Sequence, residues 1–588
     1  MSDPDDTRPG PDPGSDPPTG AHGTVADGTG PAEAPVSRRR FLGWAVAGGA
    51  VAAATAAIFA DDGSAGPSRT ASAERPVRPP AATAAPTSMP ASTPTAGFTD
   101  IQGVSLPTSA AIIAENARPG DAWWVTTPQA AGDIEGYADK VSAQAGDTVT
   151  LRVNTRAATF HVEAYRMGYY QGIGARRVWQ SAEVPGVRQA PPALIPPTNT
   201  IECQWTPSLA LAVDATWPPG AYLLKLVGAT GEQGFVPLCV RDDSSTSAIL
   251  IQQSVTTWQA YNLWGGFSLY YGNKDGAQTF SQDAGTGTFD DRARIVSFDR
   301  PYSHDWASGA SDFVGNELPV ILHAEKLGLD VSYWTDIDLH EQPALLANHR
   351  ALFSLGHDEY WSLPMRYGAE TAVQRGLNIA FLGANACYRQ IRLDPSPTGV
   401  HRHVVCYKSA AEDPFTPLDT TQVTVNWEQA PVSNPESSLT GGMYQDIDAA
   451  ADVVVFDPHS WALAGTGLRA GQRLPRALQG EFDRYVPGGV APANVDIIMH
   501  SLVANRDGNF SDVTWYTASG GGGVLDVGNA SWVGQLGDAP LIPPNVFPPP
   551  VPGVTPHLLR IMMNVYSVLG TAPASITHPS SGNWRTLV

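Results

Sequence analysis

Between residues 248 and 382 the chain switches repeatedly between two hydrophobic patterns, and that alternation limits the folds open to it. Residues 248–252, 330–334, 350–355 and 377–382 are short apolar, partly β-branched runs, as strands buried on both faces require. Residues 320–327 and 364–375 read as helices, and Gly376 ends the second as a C-cap. A β-α-β-α-β order predicts a parallel, doubly wound α/β sheet. Residues 452–456, 495–500 and 524–527 read as later strands, and 557–569 as a helix covering the sheet.

Ligands bind such sheets just past the carboxyl ends of the strands. Those ends are where polar side chains gather. They are Thr256-Thr-Trp-Gln-Ala-Tyr-Asn262, Asp336 with Asp338, His357-Asp-Glu-Tyr360, and Asn385 with Tyr388. Right-handed crossovers put them on one edge, so a site built from several loops is expected. The plainer reading of the third cluster is a helix entry, with Ser362 as N-cap and His357 in a structural hydrogen bond.

Ahead of this region, residues 98–243 read as strand after strand. Residues 140–144, 148–154, 159–166, 221–227 and 235–240 alternate or are β-branched, and Gly146-Asp147 and Pro218-Pro-Gly220 mark turns. Short strands at this spacing predict an immunoglobulin-like β-sandwich. The α/β domain then spans 247–588. At 588 residues the chain exceeds what one core usually supports, which agrees with two folded domains plus tails.

Residues 1–36 are rich in Asp, Pro and Gly and should be disordered. Residues 37–60 begin Ser37-Arg-Arg-Arg-Phe-Leu-Gly43 and continue as an Ala/Gly-rich apolar stretch. This resembles a twin-arginine export signal, which carries folded, often cofactor-loaded proteins out of the cytoplasm. No strong A-x-A cleavage site precedes Asp61, so the segment could also serve as a membrane anchor. Residues 61–97, of Ala, Thr, Ser and Pro, read as a flexible linker. The location expected is extracytoplasmic, secreted or membrane-anchored.

The net charge of −21, with only short basic clusters, argues against nucleic-acid partners. Sixteen Trp and 18 Tyr offer ring faces to a small or carbohydrate ligand as well as core. Cys203, Cys239, Cys387 and Cys406 include no CxxC, which argues against a thiolate zinc site. In an exported chain they allow two disulfides, with Cys203–Cys239 and Cys387–Cys406 the shortest loops; four buried thiols are the other reading. Neither a Gly-x-Ser-x-Gly elbow nor a Walker loop occurs. Cys387 with His357 would make an amidase-type nucleophile pair. Tyr, Glu, Asp and His together suit a hard, oxygen-preferring metal, and phenolate with carboxylate favours ferric iron.

Several stretches resemble the N,N-dimethylformamidase large-subunit family, closest to secreted relatives with an N-terminal immunoglobulin-like domain. They are Gly136-Tyr-Ala-Asp-Lys140, Tyr165-Arg-Met-Gly-Tyr169, Gln259-Ala-Tyr-Asn262, Ser297-Phe-Asp-Arg-Pro-Tyr302, Gly356-His-Asp-Glu-Tyr-Trp361, Phe381-Leu-Gly-Ala-Asn385 and Arg389-Gln-Ile-Arg392. The likeness covers roughly residues 130–535. It implies a glutamine-amidotransferase-like core and amide hydrolysis at a mononuclear iron held by two tyrosines and a glutamate. Tyr360 falls on the metal tyrosine of the family's His-Pro-Glu-Tyr motif, with Asp358 replacing Pro. Glu481 is the candidate metal glutamate, and Tyr261, Tyr302 and Tyr333 are candidates for the second tyrosine.

Three functions are therefore open. One is a metal-dependent hydrolase of C–N amide bonds, with Tyr360, Glu481 and Tyr261 on the metal and His357, Glu359 and Asn385 as catalytic groups. Another is a secreted binder of carbohydrate or cell envelope on an inactive hydrolase-like core. The third is a metal-free hydrolase using carboxylate and histidine. A small-molecule amide or an envelope glycan is the partner expected, and oligomerisation or a second subunit is left open.

Overall fold

The computed structural model describes residues 97–126, 132–273, 289–304, 307–506, 508–537 and 550–587. The tail, the twin-arginine segment and all but the last residue of the linker lie outside the described residues. Within them the protein is mostly β-sheet with few helices. Among the described residues no helix is long and apolar enough to cross a membrane.

Two largely antiparallel sheets come first. Ile134–Ala138, Thr148–Thr155 and Leu209–Ala212 form one. Thr159–Met167, Ala175–Gln180, Gly220–Gly228 and Gln233–Val240 build most of the other. Alternate residues of facing strands, among them Val149, Leu151, Phe160, Val162, Leu224 and Leu226, fill a common core. The run expected at 140–144 shortens to Ser142–Ala143, which pairs parallel to the end of Gln233–Val240.

The second region carries a seven-stranded sheet. Ile249–Gln253 (β1) is followed by helices Val255–Tyr261 (α1) and Leu318–Lys326 (α2). Then come Val331–Thr335 (β2), Asp336–Glu341 (α3), Ala351–Gly356 (β3), Tyr360–Ser362 (β4), Leu363–Val373 (α4) and Asn378–Gly383 (β5). Two hairpins follow, Arg389–Ser396 (β6) with Gly399–Val405 (β7), and Met443–Val454 (β8) with Arg473–Arg484 (β9). Asp496–Val503 (β10), Asn509–Thr517 (β11), Gly523–Asp526 (β12) and Thr555–Leu569 (α5) complete it. The sheet order is 2-1-3-5-12-11-10, parallel from β2 to β12 and antiparallel beyond.

This order places the site. From β1 the chain crosses to β2 on one side, then returns to β3 on the other. The carboxyl ends of β1 and β3 thus flank a switch point, where an open α/β sheet leaves a crevice. Backbones meet closely there. Gly356 ends β3 at φ +58°, and a Cβ on its partner Gly383 would lie 1.5 Å from the Gly356 carbonyl oxygen.

All four cysteines are buried free thiols, so neither disulfide forms. Strand register is the reason at Cys239, whose neighbours are Ala221 and Ser142 rather than Cys203. Cys387 accepts a hydrogen bond from the Arg366 guanidinium at 3.2 Å instead of serving His357, and burial pushes its thiol up to about 12. The nucleophile-pair reading is thereby corrected, since only a thiolate attacks.

The two regions share buried polar contacts. Arg166 pairs with Glu325 of α2 at 2.7 Å, both fully buried. Glu135 accepts from Asn154 at 3.0 Å and from the Trp264 indole at 2.9 Å. Burial outweighs those hydrogen bonds and pushes the Glu135 carboxyl up to about 7. A carboxyl raised in the fold stabilises it below its unfolded value of 4.5, and that contribution is lost as pH rises through about 7. Glu135→Gln should remove about 3 kcal/mol of the fall in stability between about pH 5 and 8. Urea unfolding across that range checks this; superimposable profiles for parent and variant would contradict it.

Candidate active site

The segment after β3 turns at Gly356 and presents His357, Asp358, Glu359 and Tyr360 in sequence. Asp358 points into the sheet. Its carboxylate accepts from Gln252 at 2.7 Å, Ser354 at 2.8 Å and Trp361 at 2.9 Å, so it anchors the turn. The next loop is zipped onto this one. Cys387 N–H donates to the Asp358 carbonyl, and the N–H groups of Tyr388 and Arg389 donate to that of Glu359. Asn385 takes a φ of +59° to make this path, a strain typical of functional loops. Ser362 does cap α4, accepting from Met365 N–H at 3.4 Å.

Glu359 lies at the centre, buried among phenols. Tyr261 donates to its Oε2 at 2.5 Å, and Tyr270 to its Oε1 at 2.9 Å. The hydroxyls of Tyr261 and Tyr270 are 2.8 Å apart, and Tyr360 donates to the Tyr270 Oη at 2.7 Å. Arg389 Nε reaches Glu359 Oε1 at 3.3 Å. The Lys408 ammonium sits 3.1 Å from the Tyr270 ring centroid, a cation–π contact. Burial, then the charge of Glu359, holds the phenols of Tyr261, Tyr270 and Tyr360 well above the ordinary tyrosine value.

His357 forms the other wall. Its Nε2 lies 2.8 Å from Glu481 Oε2 and 3.5 Å from Glu359 Oε2. Burial alone would lower its pKa, but Glu481 and Glu359 outweigh burial and raise it to about 9. Asn385 Nδ2 donates to Glu481 Oε1 at 3.3 Å, and its own N–H donates to Asp483 Oδ1 at 2.8 Å. Among the described residues, the buried Asn385 Oδ1 has no hydrogen-bond partner.

His357, Glu359, Asn385, Tyr360, Glu481 and Tyr261 thus converge from α1, β4, β9 and the loops after β3 and β5. Tyr302 and Tyr333 do not join them. Tyr333 donates to Glu325, in the Arg166 network, and Tyr302 packs on Trp258. Tyr270, which sequence reasoning missed, stands in contact with Glu359 instead. Asp336 also lies nearby, accepting from Thr256 N–H at the start of α1.

Arg300 explains how Tyr261 and Tyr270 meet. It is fully buried and spends its donors on one segment. Nε donates to Gln259 Oε1 at 3.0 Å, Nη1 to the carbonyls of Trp264 and Phe267, and Nη2 to that of Asn262. Asn262 answers by donating to the Pro301 carbonyl at 2.9 Å. Two of the stretches singled out in the sequence, 259–262 and 297–302, are therefore one interlocked unit that shapes the bend between the tyrosines.

Fold and site together define a mostly β-sheet protein in which a buried, oxygen-rich cluster gathers at a sheet switch point. Residues 161–545 match the family described as N,N-dimethylformamidase beta subunit-like, C-terminal. That is more than half of the chain, and the protein belongs to this family, which points to a hydrolase acting on amide bonds. No curated protein matches. Among solved structures, the chain is similar to a Paenibacillus sp. cycloisomaltooligosaccharide glucanotransferase complexed with cycloisomaltoheptaose, at 9% identity. That similarity covers 56% of this chain and 62% of the other, and its TM-score of 0.15 carries no argument.

Arg300→Met should strand several buried carbonyls and cost about 3 kcal/mol or more. Denaturant unfolding measures it; a loss within about 0.5 kcal/mol, the size of an ordinary surface change, would contradict the bracing role.

Proposed function

We propose that the protein hydrolyses a C–N amide bond of a small molecule at a mononuclear iron held by Tyr261, Tyr270 and Glu359. The observation that carries this is the contact of one carboxylate with two phenols at the switch point of the sheet. Their oxygens stand 2.5 to 2.9 Å from one another, so the three residues would hold one ion together. All-oxygen anionic donors suit a hard trivalent ion. Among the described residues no group of three or more His, Cys, Asp or Glu is arranged to hold a metal, but a two-phenol set lies outside that description. Glu359 takes the metal role in preference to Glu481, which is engaged by His357, and Tyr270 takes it in preference to Tyr360, whose hydroxyl reaches only Tyr270.

When bound, such an ion lowers the pKa of water and polarises a carbonyl. The chain's own residues supply the rest. His357 Nε2 carries a proton that it can deliver to the departing amine nitrogen. Glu481 keeps the imidazole charged and oriented. Asn385, with its buried Oδ1 unspent, orients the substrate amide. Arg389 and the tyrosine ring around Lys408 fix the carboxylate and phenols in place, so little rearrangement accompanies reaction.

We further take residues 98–243 as an immunoglobulin-like sandwich and 247–588 as a glutamine-amidotransferase-like α/β domain. The two packed sheets and the parallel switch-point sheet support that division. Export on the twin-arginine route would place the protein outside the cytoplasm already loaded with its metal.

Elemental analysis of variants tests the ligand set. Tyr261→Phe and Glu359→Gln should lose the metal while staying folded. Glu481→Gln should keep it and lose about 10²-fold or more in kcat on an amide. Metal retained in the first two and lost in Glu481→Gln and Tyr360→Phe would reverse the assignment.

A further inference from the structure

Away from the tyrosine–carboxylate cluster, two histidines from separate elements meet. His340 sits in the last turn of α3, and His401 lies in β7. Their ring centroids are 4.6 Å apart, with planes at 67°. Each ring is held through Nδ1. His401 Nδ1 lies 2.8 Å from Glu341 Oε1, and His340 Nδ1 lies 2.8 Å from Ser362 Oγ. Among the described residues, neither Nε2 has a hydrogen bond or ion pair.

A carboxylate accepts only from a proton-bearing nitrogen. Glu341 therefore fixes the neutral His401 ring with its proton on Nδ1 and its lone pair on Nε2. In that arrangement an imidazole binds metal, with an acceptor orienting the ring from behind. Ser362 Oγ serves His340 in the same way. Bonds from imidazole to zinc are about 2.0–2.1 Å long, and rings 4.6 Å apart are close enough for both Nε2 atoms to reach one ion. His401 and Glu341 keep 27% and 33% of their side-chain surface exposed, so an ion and its waters can enter.

The backbone supplies an independent observation. Asp394 of β6 stands opposite His403, and Ser396 opposite Gly399, so Val400, His401 and Arg402 bulge against the single residue Pro395. A bulge re-aims side chains. Arg402 turns inward to Asp299 at 2.9 Å, and His401 takes φ +52° to meet α3. Glycine adopts that region freely and histidine does not. Strain of this kind clusters where a side chain is held for a function.

We propose that His340 and His401 bind a zinc ion, with water in the remaining positions. Imidazole nitrogen suits such a borderline ion, whereas carboxylates suit harder ones. The ion would fasten α3 to the β6–β7 hairpin, whose first residue, Arg389, touches Glu359. The site shares no residue with the proposed iron ligands and stands whether or not the protein hydrolyses amides.

Calorimetric titration of zinc chloride into the untagged, full-length protein, with any resident metal left in place, tests it. The parent should take up one further zinc per chain. His340→Gln and His401→Asn should each weaken that binding by more than about tenfold, and Glu341→Gln by about tenfold. Asn tolerates the left-handed region, so His401→Asn should keep the fold, and His340→Gln leaves the strained backbone untouched. Zinc should raise the unfolding midpoint of the parent and leave those of both histidine variants unmoved. No uptake by the parent, or uptake that either histidine variant leaves unchanged, overturns the proposal.

Discussion

A single buried carboxylate, Glu359, organises this protein's site. A charge removed from water is costly unless surrounded by donors and opposite charge. Here Tyr261, Tyr270 and Arg389 supply them, with His357 at 3.5 Å. Each comes from a different part of the chain. Satisfying one side chain therefore constrains α1, the bend after it, the turn after β3 and the start of β6. The same donors that make Glu359 tolerable in the core are those a hard metal ion could replace proton for charge.

That constraint explains features that look unrelated in isolation. Gly356 and Gly383 let β3 and β5 approach until their loops share backbone hydrogen bonds. Asp358, in the position where the related motif has proline, spends its carboxylate on Gln252, Ser354 and Trp361. It thereby fixes the turn that carries Glu359 and His357 past the strand ends. Arg300 has no carboxylate of its own and is consumed by backbone carbonyls, which is how an irregular stretch holds two tyrosines a few ångströms apart. His357 lies between Glu481 and Glu359, its Nε2 2.8 Å from the first carboxylate and 3.5 Å from the second.

Much of this was readable from the chain. Strands β1, β2, β3 and β5 and helices α2 and α4 follow their hydrophobic periods to within a residue or two, because they are buried on fixed faces, whereas α1, α3 and β4 carry the pattern of polar strand-end loops. His357, Glu359, Tyr360 and Asn385 were legible because strand ends at a switch point are forced together by topology. Tyr270 was not. It lies after an irregular bend with no period, and its place depends on Arg300, some thirty residues later, whose motif reveals nothing of its carbonyl partners. The hairpins β6–β7 and β8–β9 escaped too, apart from the strand expected at 452–456 that overlaps the end of β8, since much of their length is polar and gives no apolar signal. They bring in Arg389 and Glu481. Tyr333 was a reasonable candidate at a strand end, but it serves the buried Arg166–Glu325 pair. The cysteines misled by their even number, where strand register decides.

The most direct measurement is anomalous X-ray scattering at the iron edge from crystals of the protein grown with its metal. The account predicts one peak in contact with Tyr261 Oη, Tyr270 Oη and the Glu359 carboxylate. A peak between His357 and Glu481, or none in a protein that still hydrolyses amides, would contradict it.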